Sequence, residues 1–402
     1  MYREILIPEY LTKFSCIGAS CEDTCCAGWK VAVDKTTFQK YRNISKPGIK
    51  EELKKYITRE RSNPSDFSYG KIKMTENNVC TMLTEDGWCK IQAELGEEFL
   101  CHTCSVYPRI VKEVDNRLEK SLTPSCPEAA RLMLLNETGI NFIIDEEQTK
   151  KNILVDAKLD SKEKPHFWEL RMFTIEMLQN RKQSLDVRLI VIGMFFQKIS
   201  EIPIKDWAIQ LEPIMTRYKN ILNDDEQIQL LLNLPDNLSF QMNMAKELLS
   251  YRLMGGISSQ RYLDCVNDMI NSLQLNDGTD INDSILLYKR FYAEYYAPFM
   301  REHEYILENY AVNYVFKNLF PFDQPNLFES FVMLSVNISI IKLHLIGMAG
   351  HHKGLTTELV IKLIQSYAKT IEHDLAYLQN VREMLNESGY STMAHMIVLL
   401  KS

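Results

Sequence analysis

A chain of 402 residues is long enough for two or three domains with a sizeable core. Its formal net charge of -7, from 46 Lys+Arg against 53 Asp+Glu, argues against a broadly basic nucleic-acid-binding surface. With 46% hydrophobic and 25% charged residues, the composition is that of a globular protein and excludes a disordered or fibrous one.

At the N-terminus the apolar run Ile5 to Ile7 ends at Pro8 and Glu9, too short for a targeting segment, so a cytoplasmic location is expected. Lys30 to Asp34 alternates like a strand, Asp34 is placed to cap a short helix, and Lys46 to Arg61 reads as helical. Arg61 to Gly70 is a polar loop. Arg109–Val114 and Arg117–Leu122, joined by Asp115-Asn116, form a predicted β-hairpin. Ser125-Cys126-Pro127-Glu128 has the spacing of a capping box opening a helix, which puts Cys126 at a helix N-terminus where its pKa is expected to fall.

From about residue 150 the hydrophobic period is helical. Helices are predicted at 167–178, 185–199, 207–222, 242–253, 261–273, 284–297, 298–319, 327–348, 357–385 and 392–400. The longest apolar stretch, Phe331 to Gly350, carries Asn337, Lys342 and His344 and reads as a buried helix rather than a membrane span. His351-His352 reads as a polar loop. The fold class expected is therefore mainly α: a small cysteine-rich α+β metal-binding domain, residues 1–145, followed by a large all-helical domain, residues 146–402.

Nine of the ten cysteines fall between Cys16 and Cys126, and Cys265 lies apart in a helical stretch as a buried thiol. In a reducing compartment such thiols point to metal or redox chemistry rather than disulfides. They run Cys16-x4-Cys21-x3-Cys25-Cys26, Cys80-x8-Cys89, Cys101-x2-Cys104 and Cys126, enough soft ligands for two tetrahedral sites with one left over. Adjacent Cys25 and Cys26 are hard to aim at one ion, so either they serve different sites or one ligates and one packs. The loop C-x3-C-x2-C of radical enzymes starts at Cys21 and Cys25 but meets Gly28, and a second C-x2-C for a zinc ribbon is lacking. His102, between Cys101 and Cys104, is either a ligand or a surface residue. Arg109 either neutralises a thiolate cluster or merely begins a strand.

Phe14 to Trp29, the pair Cys80/Cys89, Cys104-Ser-Val-Tyr107-Pro108-Arg109, and Ser121 to Arg131 together resemble the flagellin lysine-N-methylases in both spacing and flanking residues. The resemblance continues through Glu308-Asn309-Tyr310-Ala-Val-Asn313-Tyr314-Val-Phe-Lys317 to Phe322, and the N-terminal module is also similar to the CxxCxxCC cysteine-cluster domains. It implies methyl transfer from S-adenosylmethionine (SAM) to lysines of flagellin as the protein partner, with no role for nucleic acid or membrane. It also implies a [4Fe–4S] cluster, with zinc as the alternative, on Cys16, Cys21, Cys25, Cys26, Cys80, Cys89, Cys104 and Cys126. Cys101 is the expected spare. No Gly-rich loop follows a strand, so no motif places the SAM pocket.

Lysine must lose its proton to act as a nucleophile, and its ammonium, like the SAM sulfonium, suits aromatic walls. Tyr288 to Phe322 holds seven Tyr and five Phe, the densest aromatic stretch in the chain. Within it Tyr310, Tyr314 and Glu308 are the catalytic candidates. Asn309, Asn313 and Lys317, spaced by four, are cofactor-binding candidates together with Arg109. Core packing for the rings and a solvated face for the polar stripe are the competing readings. The alternative function is a metal-stapled helical protein-binding module without catalysis.

Overall fold

The computed structural model describes residues 2–148, 155–276 and 278–401. Ile5 and Ile7 are buried on either side of half-buried Leu6, and Tyr2–Pro8 forms β1, a strand the sequence reading did not foresee. Short β2 (Ala32–Val33) leads into α1 (Lys35–Arg42), whose N-cap Asp34 accepts from Thr37 N at 2.9 Å. The predicted helix at 46–61 is shorter: α2 spans Ile49–Tyr56, and β-branched Ile57-Thr58 turn the chain into β3 (Ile57–Arg59). Strand β4 (Gly70–Ile72) pairs antiparallel with both β2 and β3.

Helices α3 (Lys90–Leu95) and α4 (His102–Val106) follow, then the hairpin β5 (Arg109–Val114) and β6 (Arg117–Leu122) with the predicted boundaries. Its two-residue turn holds because Asp115 and Asn116 accept φ of 50° and 64°. Helix α5 (Pro127–Leu134) comes next, then β7 (Phe142–Gln148) and β8 (Ala157–Leu159). The larger sheet has the order β7-β1-β6-β5-β8, with β1 parallel to β6 and β8 parallel to β5. It therefore takes strand residues from beyond 145, where only helices were expected.

The rest is helical, as predicted: α6 (Phe167–Leu178), α7 (Leu185–Ser200), α8 (Trp207–Ile221), α9 (Asp225–Leu232), α10 (Leu238–Met254) and α11 (Gln260–Leu273). Then come α12 (Ile281–Phe291), α13 (Ala297–His303), α14 (Tyr305–Lys317), α15 (Leu327–His352), α16 (Thr357–Tyr367), α17 (Leu375–Glu387) and α18 (Met393–Leu400). Helix α9 was not foreseen; Asp224 caps it through Glu226 N and Gln227 N. The long helices expected at 284–297 and 357–385 are broken by π turns at Tyr292–Tyr296 and Ala368–Glu372.

Helix α15 sits at the centre, packed on α7, α11, α12, α16 and α18. It is long and apolar enough to cross a membrane, yet 89% of its most apolar window is buried inside the protein, as the sequence predicts. Lys342 within it pairs with Asp186 at 2.5 Å and donates to Leu400 O. A Cβ on Gly347 would lie 2.8 Å from Met269 Cα, so glycine sets the close approach of α11 to α15. His351 and His352 belong to the last turn of α15, not to a loop, and both face Asp268.

Two hydrophobic cores dominate, with lesser clusters around Ile5 and around Val114. The large one runs through the helices and takes in Tyr10, Leu122 and α5 from the N-terminal part. The small one gathers Val31, Val33, Ile49, Ile72 and Met82 with buried Cys80 and Cys101. A buried ion pair, Arg171 on α6 with Glu119 on β6 at 2.5 and 2.8 Å, fastens the sheet to the helices.

Candidate metal centre and its link to the helical body

All nine clustered cysteines line one cavity of about 420 Å³, together with Phe14, Trp29, Tyr41, Trp88, Tyr107 and Arg109. Cys16 and Cys21 flank a short turn in which Gly18 has φ +58°, with the Trp88 ring 2.7 Å from where its Cβ would be, so a side chain there would be strained and would have to displace the ring. Cys26 O accepts from Cys80 N at 2.7 Å, and isolated bridges Ala27↔Val79 and Leu83↔Cys89 bring the loop pieces together.

Cys89, Cys101 and Cys126 are the N-cap residues of α3, α4 and α5. At each, first-turn backbone N–H groups favour the thiolate without making a full capping bond: Ile91 and Gln92, Thr103 and Cys104, Glu128 and Ala129. Burial opposes this. It pushes Cys126 up to about 11, reversing the expected fall, and Cys80 up to about 12. In two places a thiol donates to its neighbour. Cys25 does so to Cys26, whose pKa drops to about 7 with help from Thr24 and the Lys369 charge; Cys104 does so to Cys101, whose pKa falls. A bound cation inverts such a balance, because it stabilises every thiolate that burial and mutual repulsion disfavour. The donor set suits a thiolate-bound zinc or iron–sulfur centre. Cys101, the expected spare, is 1% exposed and lines the same cavity. Arg109 lies in the cavity wall, its guanidinium 5.1 Å from the Phe14 ring centroid.

A polar network leads from this cavity into the helices. Asp23 accepts from Gln365 Nε2 and Lys369 Nζ, both at 2.7 Å, and Lys369 also reaches Thr24 O. Ser125 Oγ lies 3.1 Å from Tyr107 Oη and 2.9 Å from His373 Nε2. Ser125 thus serves this network instead of the capping box expected of it. Burial and the Lys317 charge lower the His373 pKa and keep its ring neutral. Glu372 accepts from Tyr310 Oη at 2.8 Å and from Lys317 Nζ. Asp23, Gln365, Lys369, Glu372 and His373 escaped the sequence reading, which placed Ser125 only in a helix cap. Lys369 and Glu372 project from the π turn at 368–372 and His373 follows it directly, and no local pattern announces that turn.

The polar stripe of α14 is not a solvated face, since Ile306 to Lys317 are all buried. Glu308 is gripped by Arg181 at 2.8 Å and Arg188 at 2.7 Å. Asn309 donates to Leu134 O and Asn136 O at the end of α5. Asn313 accepts from Tyr10 Oη at 2.5 Å and donates to Leu122 O. Only Tyr310 and Lys317 meet, at Glu372; Tyr314 packs beside Tyr310 with ring centroids 6.5 Å apart.

Residues 171–399, more than half of the chain, match the FliB lysine N-methylase C-terminal domain. The chain belongs to the FliB lysine N-methylase family. It is 24% identical over 392 residues to the lysine-N-methylases of Salmonella typhimurium (strain LT2) and Salmonella choleraesuis (strain SC-B67), covering 94% of this chain and 94% of each relative. It is also 37% identical over 134 residues to the flagellar biosynthetic protein FliU of Salmonella muenchen, which is 33% of this chain and 79% of FliU. No solved structure matches. The matched FliB domain begins at Arg171, on the helical side of the Arg171–Glu119 pair, and contains α14 and the π turn at 368–372. The nine clustered cysteines lie outside it.

Proposed function

We propose that this chain is a SAM-dependent protein lysine N-methyltransferase acting on flagellin, with an iron–sulfur cluster on its clustered thiols. The observation that carries the reading is the family match across α6–α18 joined to full-length likeness with lysine-N-methylases. The likeness to a flagellar protein supports flagellin as the substrate. SAM, when bound, supplies an electrophilic methyl group to an unprotonated amine.

The chain's own residues then have three tasks. Phe14, Trp29 and Trp88 offer aromatic surface to two cations, worth roughly 0.5–2 kcal/mol per contact once water is excluded. Tyr107 Oη, Ser125 Oγ and His373 Nε2 form a hydrogen-bonded line that takes up the substrate ammonium proton once desolvation in the cavity has lowered the amine's own pKa. Tyr107 keeps its own proton, since burial raises its pKa well above the usual phenol range, so it relays a proton rather than acting as a phenolate base. Helix α14 is a positioning element: Tyr310 and Lys317 hold Glu372, while Asn309 and Asn313 seat the N-terminal part.

Polar displacement needs no electron, and the radical-type loop fails at Gly28, so the metal centre is assigned a structural or substrate-orienting role. Incubation with methyl-labelled SAM and unassembled flagellin tests this. Label in flagellin lysines, without added reductant and without 5′-deoxyadenosine, is expected. No label leaves a metal-stapled helical binding module; strict need for a low-potential reductant restores radical chemistry.

A further inference from the structure

Resting on the metal reading above, we infer that the nine thiols form two separate centres, an outer one on Cys16, Cys21, Cys25 and Cys126 and an inner one drawn from Cys26, Cys80, Cys89, Cys101 and Cys104. The packing divides them in this way. Cys80 and Cys101 belong to the small hydrophobic core and Cys26, Cys89 and Cys104 pack against it, whereas Cys126 packs against the large one. Cys16, Cys21 and Cys25 sit on the connecting loop, with Cys16 and Cys25 exposed.

Hydrogen bonding repeats the division: Gln365 Nε2 donates to both Asp23 Oδ2 at 2.7 Å and Ser125 O at 2.8 Å, and Arg131 on α5 pairs with Glu22 at 2.6 Å, so the loop that carries Cys21 and Cys25 is held against Cys126. The sets meet at the adjacent pair Cys25-Cys26, which sends one thiol to each.

Their surroundings assign different work. The outer set adjoins Asp23 with its Lys369 and Gln365 partners, and Tyr107 with its route to His373. It is open to solvent and faces the helical body, so it is the centre that can meet a substrate. The inner set is enclosed by β2–β4, α3 and α4, and its metal replaces apolar residues that so small a core lacks.

The test uses the full chain purified anaerobically, with iron, acid-labile sulfide and zinc measured per chain beside the visible spectrum. Cys16→Ser and Cys126→Ser should each remove about half of the metal, and the double variant no more than either alone. Cys16→Ser combined with Cys89→Ser should remove all of it. Chelator or air should strip the wild type in two phases, the faster one missing from the outer variants. Limited proteolysis should show the Cys16→Ser variant, at an exposed loop position, and the Cys126→Ser variant, at the N-cap of α5, both still folded. Loss of all metal from a folded Cys16→Ser chain, or a wild type holding one centre, overturns the division and leaves the metal reading standing. A wild type that binds neither iron nor zinc overturns the metal reading and the division with it.

Discussion

The small core around β2–β4 buries Val31, Val33, Ile72 and Met82 beside Cys80 and Cys101, and most of the polypeptide around it is loop. The large core instead stacks whole helical faces, and the thiol it encloses, Cys265, is fully buried among Tyr262, Val266 and Met269. In the helical body, stability comes from apolar area and a few buried ion pairs. A thiol-rich pocket this small buries too little surface for that and, on the metal reading proposed above, draws its order from ligation. Chelation breaks this comparison most directly. Stripping the metal should reduce amide protection across residues 26–104 to that of an unfolded segment, while 171–399 stays protected in hydrogen exchange. Equal loss in both regions would mean a single cooperative unit.

The join between the regions comes next in size. Removing one partner of the fully buried Arg171–Glu119 pair strands the other charge, so Glu119→Ala should cost about 3–5 kcal/mol in denaturant unfolding. Replacing both partners by apolar residues should cost far less.

A smaller effect belongs to the large core alone. His344 donates from Nδ1 to Ile340 O at 2.8 Å, so its Nε2 accepts from Tyr262 Oη, and burial lowers its pKa to about 4. Between about 6.5 and 4 the unfolded chain binds the proton and the folded chain does not, so stability falls as pH falls through that window. At pH 5 the loss relative to neutral pH is about 2 kcal/mol, and His344→Gln should flatten the slope seen in thermal unfolding. The smallest effect sharpens the local part of the comparison. Asp34 caps α1 through Thr37 N and also accepts from His102 N at 2.9 Å, so Asp34→Ala should cost about 1–2 kcal/mol and loosen α4 together with α1.

Features decided by neighbouring residues were legible in the sequence. Asp115-Asn116 fixed the hairpin, Asp34 its cap, and helical spacing the boundaries of α6 and the burial of α15. Where tertiary partners decide, reading failed. Strand β1 exists because β6 and β7 flank it, and Ser125 leaves the expected capping box for His373 and Tyr107. The type and number of the thiols make a metal centre an expectation, and their packing depends on how loops 14–29 and 80–104 fold against α5, which spacing does not encode. On α14 the four-residue spacing of Asn309, Asn313 and Lys317 was read correctly, but burial gives those side chains partners in the N-terminal part and at Glu372.

The π turn at 368–372 holds one residue more than an α-helix would need, and that surplus residue sets the bearing of everything after it. Deleting Thr370 would let the turn relax into ordinary helix while swinging Glu372 and His373 by about 100° around the axis, the rotation of one residue. Lys369, on the near side, would keep Asp23, whereas Tyr310 and Lys317 would lose Glu372 and Ser125 would lose His373. A deletion that makes the helix more regular would therefore uncouple the thiol cavity from α14, so the irregularity works as a spacer that keeps two halves of one device in phase.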